Sequence, residues 1–103
     1  MSQNKIDYSK SIIYKLCCNN TDIKDIYIGS TTSFRHRKSH HKSICNNEND
    51  KGYNRKVYQF IRENGSFDNW SMIMIEEYNC ENKLQLLKRE RFWIDNLNPS
   101  LNI

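Results

Sequence analysis

The sequence contains little that would mark a secreted, membrane-spanning or zinc-binding protein. Its N-terminal stretch, MSQNKIDYSK, has no apolar segment of the kind a signal peptide needs, and no apolar run approaches the length of a membrane span. The four cysteines form no CxxC pair and have no histidine at zinc-finger spacing, which argues against a structural zinc site or a thioredoxin-type motif. We therefore expect an intracellular protein, in the cytoplasm or nucleus, that is not secreted, keeps its thiols reduced and has no membrane partner.

Proline is scarce as well, with one residue in 103, whereas hydrophobic residues make up 37% of the chain and aromatic residues 12%. This composition is sufficient for a packed core and too apolar for a mostly disordered chain. A chain of this length has room for one modest core, so we expect a single domain over residues 11–103, preceded by a flexible N-terminus over residues 1–10. The abundance of Asn, Lys and Ile, whose codons are rich in A and T, indicates a viral or mobile-element origin.

Positive charge is in modest excess, with 16 lysines and arginines against 12 acidic residues and a formal net charge of +4. Much of it lies in one short segment, residues 35–42 (RHRKSHHK). Such a segment favours a polyanionic partner, and we predict that Arg35, Lys38 and Lys42 bind phosphate groups. A basic stripe is equally typical of a plain solvated helix, so the pattern alone leaves both interpretations open.

Periodicity along the chain predicts a small α+β domain with the element order β-β-α-α-β-α. Two β-branched and aromatic segments, residues 11–18 and 26–30, flank the turn-rich sequence NNTDIKD and predict a β-hairpin, and residues 70–78 predict a third strand. Helices are predicted from residue 32 or 33 to about 44, from about 54 to 63, and from about 81 to 95. We expect a three-stranded antiparallel sheet flanked by three helices.

The last predicted helix carries a carboxylate on its apolar side. By helical phase, Glu90 falls in the middle of a face formed by Leu86, Leu87, Trp93, Ile94 and Leu97. Burying a carboxylate among apolar groups costs on the order of several kcal/mol unless it is paired or binds a cation. Glu90 is therefore a ligand of a divalent metal, a member of a structural ion pair, or a residue at the rim of the core.

The first predicted helix places Arg37 and His41 in a narrow sector together with Phe34 and Ile44. Their side chains should therefore point toward the hairpin. A guanidinium matches phosphate oxygens and an imidazole titrates near neutral pH, so this pair fits phosphoryl-transfer chemistry. The alternative is a solvated basic helix without a site.

Each hairpin strand contributes a tyrosine, Tyr14 or Tyr27, and the hairpin brings the two strands side by side. Tyr14 shares a strand face with two apolar residues, which is typical of a core aromatic. Gly29 follows Tyr27 closely, as expected where a strand has no room for a side chain. The pattern by itself does not decide the role of these three residues.

These residues in this order resemble the GIY-YIG nuclease family, and their spacing resembles the catalytic domains of phage-type homing endonucleases. Residues 12–14 (IIY) stand where the family has GIY, with isoleucine in place of the opening glycine, and residues 27–29 (YIG) are an intact YIG. The further motifs are an R-x3-H pattern at Arg37 and His41, a metal-site helix at residues 89–94 (RERFWI) and a terminal P-x-L-N at residues 99–102.

The resemblance implies a metal-dependent DNA endonuclease. It implies Glu90 as the ligand of Mg²⁺ or Mn²⁺, Gly29 and Asn102 as supporting residues, and a catalytic set of Tyr14, Tyr27, Arg37, His41 and Glu90. We expect water to attack the phosphate and to leave 5′-phosphate and 3′-hydroxyl ends. Its proton should pass to Tyr14, or through a relay with Tyr27 and His41, once the metal and Arg37 have lowered the pKa of Tyr14.

Two other functions compete with this one. The protein is either a nuclease subunit that takes its specificity from a protein partner, which the lack of a recognisable targeting module favours, or a non-catalytic DNA-binding module. We expect a monomer that nicks DNA or a homodimer that cuts both strands. Some family members carry a further histidine after the first helix, and Tyr53 or Asn54 is expected in that region here.

Overall fold

The structure is a computed structural model that describes residues 5–102. Residues 1–4 of the predicted flexible N-terminus and residue 103 lie outside the described residues. The elements are β1 (Ile12–Cys18), β2 (Ile26–Thr31), α1 (Phe34–Asn46), α2 (Lys56–Glu63), β3 (Trp70–Glu77) and α3 (Lys83–Leu97). Short 3₁₀ turns at Tyr8–Lys10 and Phe67–Asn69 precede β1 and β3. The predicted α+β class and the order β-β-α-α-β-α are confirmed.

The ends of the elements differ from the predicted ones by at most two residues. The second helix begins at Lys56 because the preceding residues form tight turns, in which the Asp50 carboxylate accepts a hydrogen bond from the Gly52 N–H at 2.8 Å. The third helix begins after Asn82, whose side chain accepts a hydrogen bond from the Gln85 N–H and so satisfies one of the free amides of the first turn.

The sheet has the order β2-β1-β3 and is antiparallel throughout, so β2 lies at an edge. In the β1–β2 pair, Tyr14 lies opposite Gly29 and Ile13 opposite Ser30. The register between β1 and β3 shifts between Ile13 and Tyr14, which is the signature of a β-bulge. Because side chains of a strand alternate between faces, Tyr14 and Gly29 belong to one face of the sheet and Ile13 and Ser30 to the other.

The core is divided between the two faces of the sheet. On the first face, Tyr14 and Leu16 pack with buried residues of α1 and α2, among them Ile44 and Ile61. On the second face, Ile13 and Ile28 form a smaller cluster with Leu86 of α3, against which Trp93 and Ile94 pack half-buried. Because helices cover both faces of the sheet, side chains of α1 and of α3 reach the same strands from opposite sides.

The face of α3 is less buried than its helical phase predicted. Leu86 is the one buried residue of this helix, whereas Leu87 and Leu97 are each 43% exposed. The helix packs mainly against β2, which can cover a narrow stripe and not a broad face. Glu90 is accordingly half-buried and lies at the rim of the core, which corrects the prediction that it lies in the middle of an apolar face.

All four cysteines lie within the described residues and carry free thiols. Within residues 5–102, no helix has the length and apolar character needed to pass through a lipid bilayer.

Candidate active site

The hydroxyl group of Tyr14 lies over Gly29. The two residues are paired across β1 and β2, and a β-carbon built on Gly29 would overlap both the hydroxyl oxygen and the Cζ atom of Tyr14. Such a contact with a fully buried ring could not be relieved by a small movement, because the Tyr14 side chain has 0% of its surface exposed. Gly29 is therefore needed for the close approach of a tyrosine hydroxyl to the backbone of β2.

The imidazole of His41 joins two tyrosine hydroxyls. His41 lies in α1, one turn before the buried Ile44, and is itself 3% exposed. Its Nε2 atom is 2.7 Å from the Oη atom of Tyr14, and its Nδ1 atom is 2.7 Å from the Oη atom of Tyr58 in α2. The two ring nitrogens are thus both in hydrogen bonds with phenol groups.

Three tyrosine rings surround this imidazole. The ring centroids of Tyr14, Tyr27 and Tyr58 lie 5.7, 5.8 and 5.8 Å from that of His41. Tyr27 is half-buried and faces the outside more than the other two rings. The cluster therefore has a buried part, formed by Tyr14, His41 and Tyr58, and an accessible part at Tyr27.

Burial decides the protonation states of this cluster. It lowers the pKa of His41 to about 4, with Arg37, His40 and Arg55 adding repulsion, so the imidazole is neutral at pH 7. Burial also raises the pKa of Tyr14 above its ordinary value; Tyr27 adds to this increase and Arg37 opposes it. Among the groups of the chain itself, Arg37 lowers the pKa of Tyr14 and burial outweighs it. The expected lowering by a metal together with Arg37 stays a prediction.

Arg37 lies one turn before His41 and is half-buried. Its charge acts on Tyr14, His41 and Tyr58, as their pKa values show. The guanidinium lines a surface depression with Thr31 and is in no ion pair among the described residues. An arginine held beside the tyrosines without an acidic partner is available for a phosphate group.

Glu90 reaches β2 from the other face of the sheet. Its Oε1 atom accepts a hydrogen bond of 2.5 Å from the Ser30 hydroxyl, which orients the carboxylate. Its charge also raises the pKa of Tyr14, so the carboxylate and the phenol belong to one electrostatic environment. Ser30 and Gly29 are consecutive residues of the edge strand. The contact with Glu90 and the contact with Tyr14 therefore lie at neighbouring positions of β2, on opposite faces of the sheet.

The structure does not contain the ion pair that was one explanation of Glu90. The flanking arginines pair with other acids: Arg89 with Glu76 at 2.6 Å and Arg91 with Asp95 at 3.5 Å. No salt bridge within residues 5–102 involves Glu90. A half-buried carboxylate with no cationic partner among these residues fits the role of a divalent-metal ligand better than the role of a structural ion-pair member.

The donor set around Glu90 suits a hard, partly hydrated cation. Among the described residues, no group of three His, Cys, Asp or Glu side chains comes together. Mg²⁺ is commonly held by one or two carboxylates, with water and substrate phosphate as the remaining ligands, and Glu90 with its oriented oxygen fits that arrangement.

Asn102 holds the outer edge of β2. Its side-chain amide accepts a hydrogen bond from the Ile28 N–H at 2.7 Å and donates one to the Ile28 carbonyl at 2.8 Å. The Leu101 N–H also bonds to the Ile26 carbonyl at 3.1 Å. The C-terminal segment therefore bonds to the backbone of Ile26 and Ile28, the two residues on either side of Tyr27 in the edge strand.

A groove opens beside Tyr27 at the start of α2. Its walls are formed by Tyr27, Arg55, Lys56, Val57, Leu101 and Asn102. Arg55 and Lys56 are exposed, and the Arg55 guanidinium lies 5.6 Å from the centroid of the Tyr58 ring. The groove thus places two cations next to the accessible tyrosine.

The predicted phosphate-binding residues lie on the exposed side of α1. Arg35, Lys38 and Lys42 are all exposed, and Lys42 is 3.4 Å from the Asp68 carboxylate. The structure therefore separates them from the cluster around His41. Their role in DNA binding stays a prediction.

Sequence reasoning missed three residues of the site: Ser30, Arg55 and Tyr58. Tyr58 belongs to the apolar stripe of α2 with Val57 and Ile61, where a tyrosine is easily taken for a core aromatic. Tyr53, which with Asn54 was expected in the region of the further histidine of some family members, has its ring centroid 3.6 Å from the guanidinium carbon of Arg62. The hydroxyl on an otherwise apolar helix face was the one available signal for Tyr58.

Comparisons with known proteins agree with the motifs. The family model described as the GIY-YIG catalytic domain matches residues 10–102, which confirms the resemblance. A solved structure entitled "Structure of the Catalytic Domain of Homing Endonuclease I-TevI" is similar to 90% of this chain and to 94% of its own, with a TM-score of 0.70 and 27% sequence identity. No curated protein sequence matches the chain.

Proposed function

The chain belongs to the GIY-YIG family and is an endonuclease, and from this we propose that it hydrolyses phosphodiester bonds of DNA with one divalent cation, Mg²⁺ or Mn²⁺, held at Glu90. The observation that carries the proposal is the carboxylate of Glu90, which is oriented by Ser30 and has no cationic partner among residues 5–102. A cation bound there would act as a Lewis acid on the phosphate and its leaving oxygen.

The remaining chemistry is assigned to side chains of the chain itself. The scissile phosphate lies between Glu90 and the tyrosines, where Arg37 neutralises charge on the phosphoryl oxygens. A water molecule attacks the phosphorus while the bond to the 3′ oxygen breaks, and the water proton passes to Tyr14, which accepts it as a phenolate after releasing its own phenol proton. His41 is within hydrogen-bond distance of Tyr14, so it either stabilises the tyrosinate or receives the proton in turn.

Tyr27 and the groove beside it bind the DNA strand next to the scissile phosphate. Arg55 and Lys56 would take the neighbouring phosphate, with Arg35 and Lys38 contacting the backbone farther along. Phosphate contacts position a strand without reading its sequence, so this surface supports cleavage and leaves target choice to other contacts.

The biological setting is a separate proposal. The likeness to a homing endonuclease domain and the abundance of Asn, Lys and Ile, whose codons are rich in A and T, support an intracellular enzyme of a viral or mobile element. One active site per chain supports nicking by a monomer, and cleavage of both strands would take a homodimer or two successive events. A protein partner that supplies specificity is the second candidate for this setting.

Cleavage of a supercoiled plasmid tests the proposal. The wild-type protein should nick or linearise the plasmid with Mg²⁺ or Mn²⁺ and should be inactive with EDTA. Glu90→Gln should abolish cleavage, while Glu81→Gln, the same change at an exposed position just before α3, should have no effect.

The outcomes separate the assignments. Activity retained in Glu90→Gln would remove the metal ligand assignment. DNA binding without cleavage by the wild-type protein under all metal conditions would favour a partner-dependent subunit or a binding module.

A further inference from the structure

We infer that Tyr58 is a positioning residue that holds His41 in the tautomer protonated at Nε2, so that the imidazole donates a hydrogen bond to Tyr14 and leaves Tyr14 as the proton acceptor of the site. The inference rests on the proposed function and deepens it, because it decides between the two roles of His41 left open above. It assigns a task to a residue outside the motifs of the chain.

The geometry that carries it is a buried chain of three side chains. Tyr58 is 1% exposed, and its hydroxyl oxygen lies 2.7 Å from Nδ1 of His41. On the other side of the ring, Nε2 lies 2.7 Å from the Tyr14 hydroxyl. A histidine is more often oriented by a carboxylate or a carbonyl, which accept hydrogen bonds only, whereas Tyr58 can donate as well as accept.

The ring carries one proton, because burial keeps His41 neutral at pH 7. A neutral imidazole donates from one nitrogen and accepts at the other. In one arrangement, Tyr58 donates to Nδ1 and the Nε2–H donates to Tyr14. In the other, Tyr14 donates to Nε2 and the Nδ1–H donates to Tyr58.

The charges at the two ends of the chain select the first arrangement. The Arg55 guanidinium lies over the Tyr58 ring, 5.6 Å from its centroid, and an arginine offers no acceptor for the Tyr58 proton. At the other end, Tyr14 lies in the field of the Glu90 carboxylate. Hydrogens of the chain should therefore point away from Arg55 and toward Glu90.

The other groups that face this chain do not reverse that preference. Arg37 acts on Tyr14, His41 and Tyr58, and on Tyr14 its effect is larger than that of Glu90, whereas Tyr27 raises the pKa of both other tyrosines. His40 is exposed and adds only to the repulsion that keeps His41 neutral. The asymmetry that remains is that two arginines and no carboxylate act on Tyr58, whereas at Tyr14 the Glu90 carboxylate partly offsets Arg37.

The consequence for the reaction concerns where the water proton goes. Tyr14 first gives up its own phenol proton to solvent, and the Nε2–H donor stabilises the phenolate that is left. The phenolate then accepts the proton of the attacking water as the bond from phosphorus to the leaving 3′ oxygen breaks, which returns Tyr14 to the neutral phenol. The donation from Tyr58 polarises the ring and strengthens the Nε2–H donor. His41 in this account moves no proton, and its neutral N–H group supports the charge that forms on Tyr14.

Nitrogen NMR of the wild-type protein with ¹⁵N-labelled histidine tests the tautomer without any activity measurement. The signal of His41 at pH 7 should be that of a neutral ring protonated at Nε2. A ring protonated at Nδ1, or at both nitrogens, would overturn the inference, whatever the plasmid assay shows. A failure of cleavage would instead count against the proposed function.

Kinetics of Tyr58→Phe test the consequence. This variant keeps the ring and removes the donor, so kcat should fall about 10- to 100-fold with little change in KM, as is typical when the partner of a site histidine is lost. The rise of kcat with pH should also move to higher pH, because the Tyr14 phenolate is less well stabilised.

Tyr53→Phe is the matched control, since it removes a hydroxyl from a tyrosine that contacts Arg62 instead of the site, and its kcat and pH profile should equal those of the wild type. A Tyr58→Phe variant with lower kcat and an unmoved pH profile would point to a structural role alone and would contradict the inference. If that variant does not fold, the NMR measurement on the wild-type protein decides.

Discussion

Tyr14 lies opposite Gly29 in the β1–β2 pair, and the tyrosine ring occupies the space that any side chain at position 29 would need. On the adjacent residue of the same strand, Ser30 binds the carboxylate of Glu90. The edge strand β2 therefore separates the phenol of Tyr14, on one face of the sheet, from the carboxylate of Glu90, on the other.

The first prediction concerns the close contact between Gly29 and the Tyr14 ring. Gly29→Ala should displace Tyr14, lower the free energy of unfolding by about 1–3 kcal/mol and reduce cleavage, because a methyl group would overlap a fully buried ring. Urea unfolding measures the first effect and plasmid cleavage the second. In a Tyr14→Leu background the same substitution should cost less, since the overlap is gone; equal costs in both backgrounds would mean that Gly29 acts in another way.

Arg37→Ala should slow turnover on the order of 10²- to 10³-fold, because the half-buried guanidinium acts on Tyr14 and His41 and has no acidic partner within residues 5–102. Arg35→Ala, a neighbour on the exposed side of α1, should change kcat little. Single-turnover kinetics with saturating DNA make the comparison. A raised KM with normal kcat would move Arg37 from transition-state stabilisation to substrate binding.

The pH dependence of stability should report His41. Its pKa is about 4 in the folded protein and 6.5 when unfolded, so between these values the unfolded state binds more protons and stability decreases as the pH falls. The free energy of unfolding should drop by about 2 kcal/mol from pH 7 to pH 5. Urea unfolding of His41→Gln should show little of this slope, and His40→Gln, at an exposed site, should retain it. A wild-type protein with constant stability over this range would contradict the buried neutral imidazole.

The groove at the start of α2 should contribute to DNA binding through charge. Lys56→Ala should weaken binding and reduce the slope of log K against log salt by about 1, the amount expected for one lost phosphate contact. Lys24→Ala, an exposed lysine in the loop between β1 and β2, is the matched change outside the groove and should leave both quantities unchanged. Fluorescence anisotropy at several salt concentrations measures both variants.

The fold was largely predictable because each element carries a local pattern. The β-branched hairpin strands, the NG sequence after α2 and the apolar third strand each indicate an element without reference to the rest of the chain. Helical phase also placed Glu90 on the side of α3 that faces the sheet. It could not show how much of that side β2 covers, so the burial of Leu87, Leu97 and Glu90 was overestimated.

The site was predictable where a motif names the residue and hidden where two distant elements meet. Tyr14 and His41 were expected together, and the structure places them 2.7 Å apart. The contact between Ser30 and Glu90 joins residues 60 positions apart, and it depends on the way α3 lies across β2. Tyr58 had no motif, and its hydroxyl acquires a role only through the packing of α2 against α1.

The central claim is that the cation bound at Glu90 and the phenol of Tyr14 belong to one site built around the edge of β2. Titration of ¹⁵N-labelled protein with Mn²⁺ tests it most directly, because the paramagnetic ion broadens NMR signals of nearby nuclei. At low Mn²⁺, the signals of Ser30, Gly29 and Tyr14 should broaden together, and they should stay sharp in Glu90→Gln but not in Glu81→Gln. Broadening confined to exposed acids elsewhere, or unchanged in Glu90→Gln, would contradict the account.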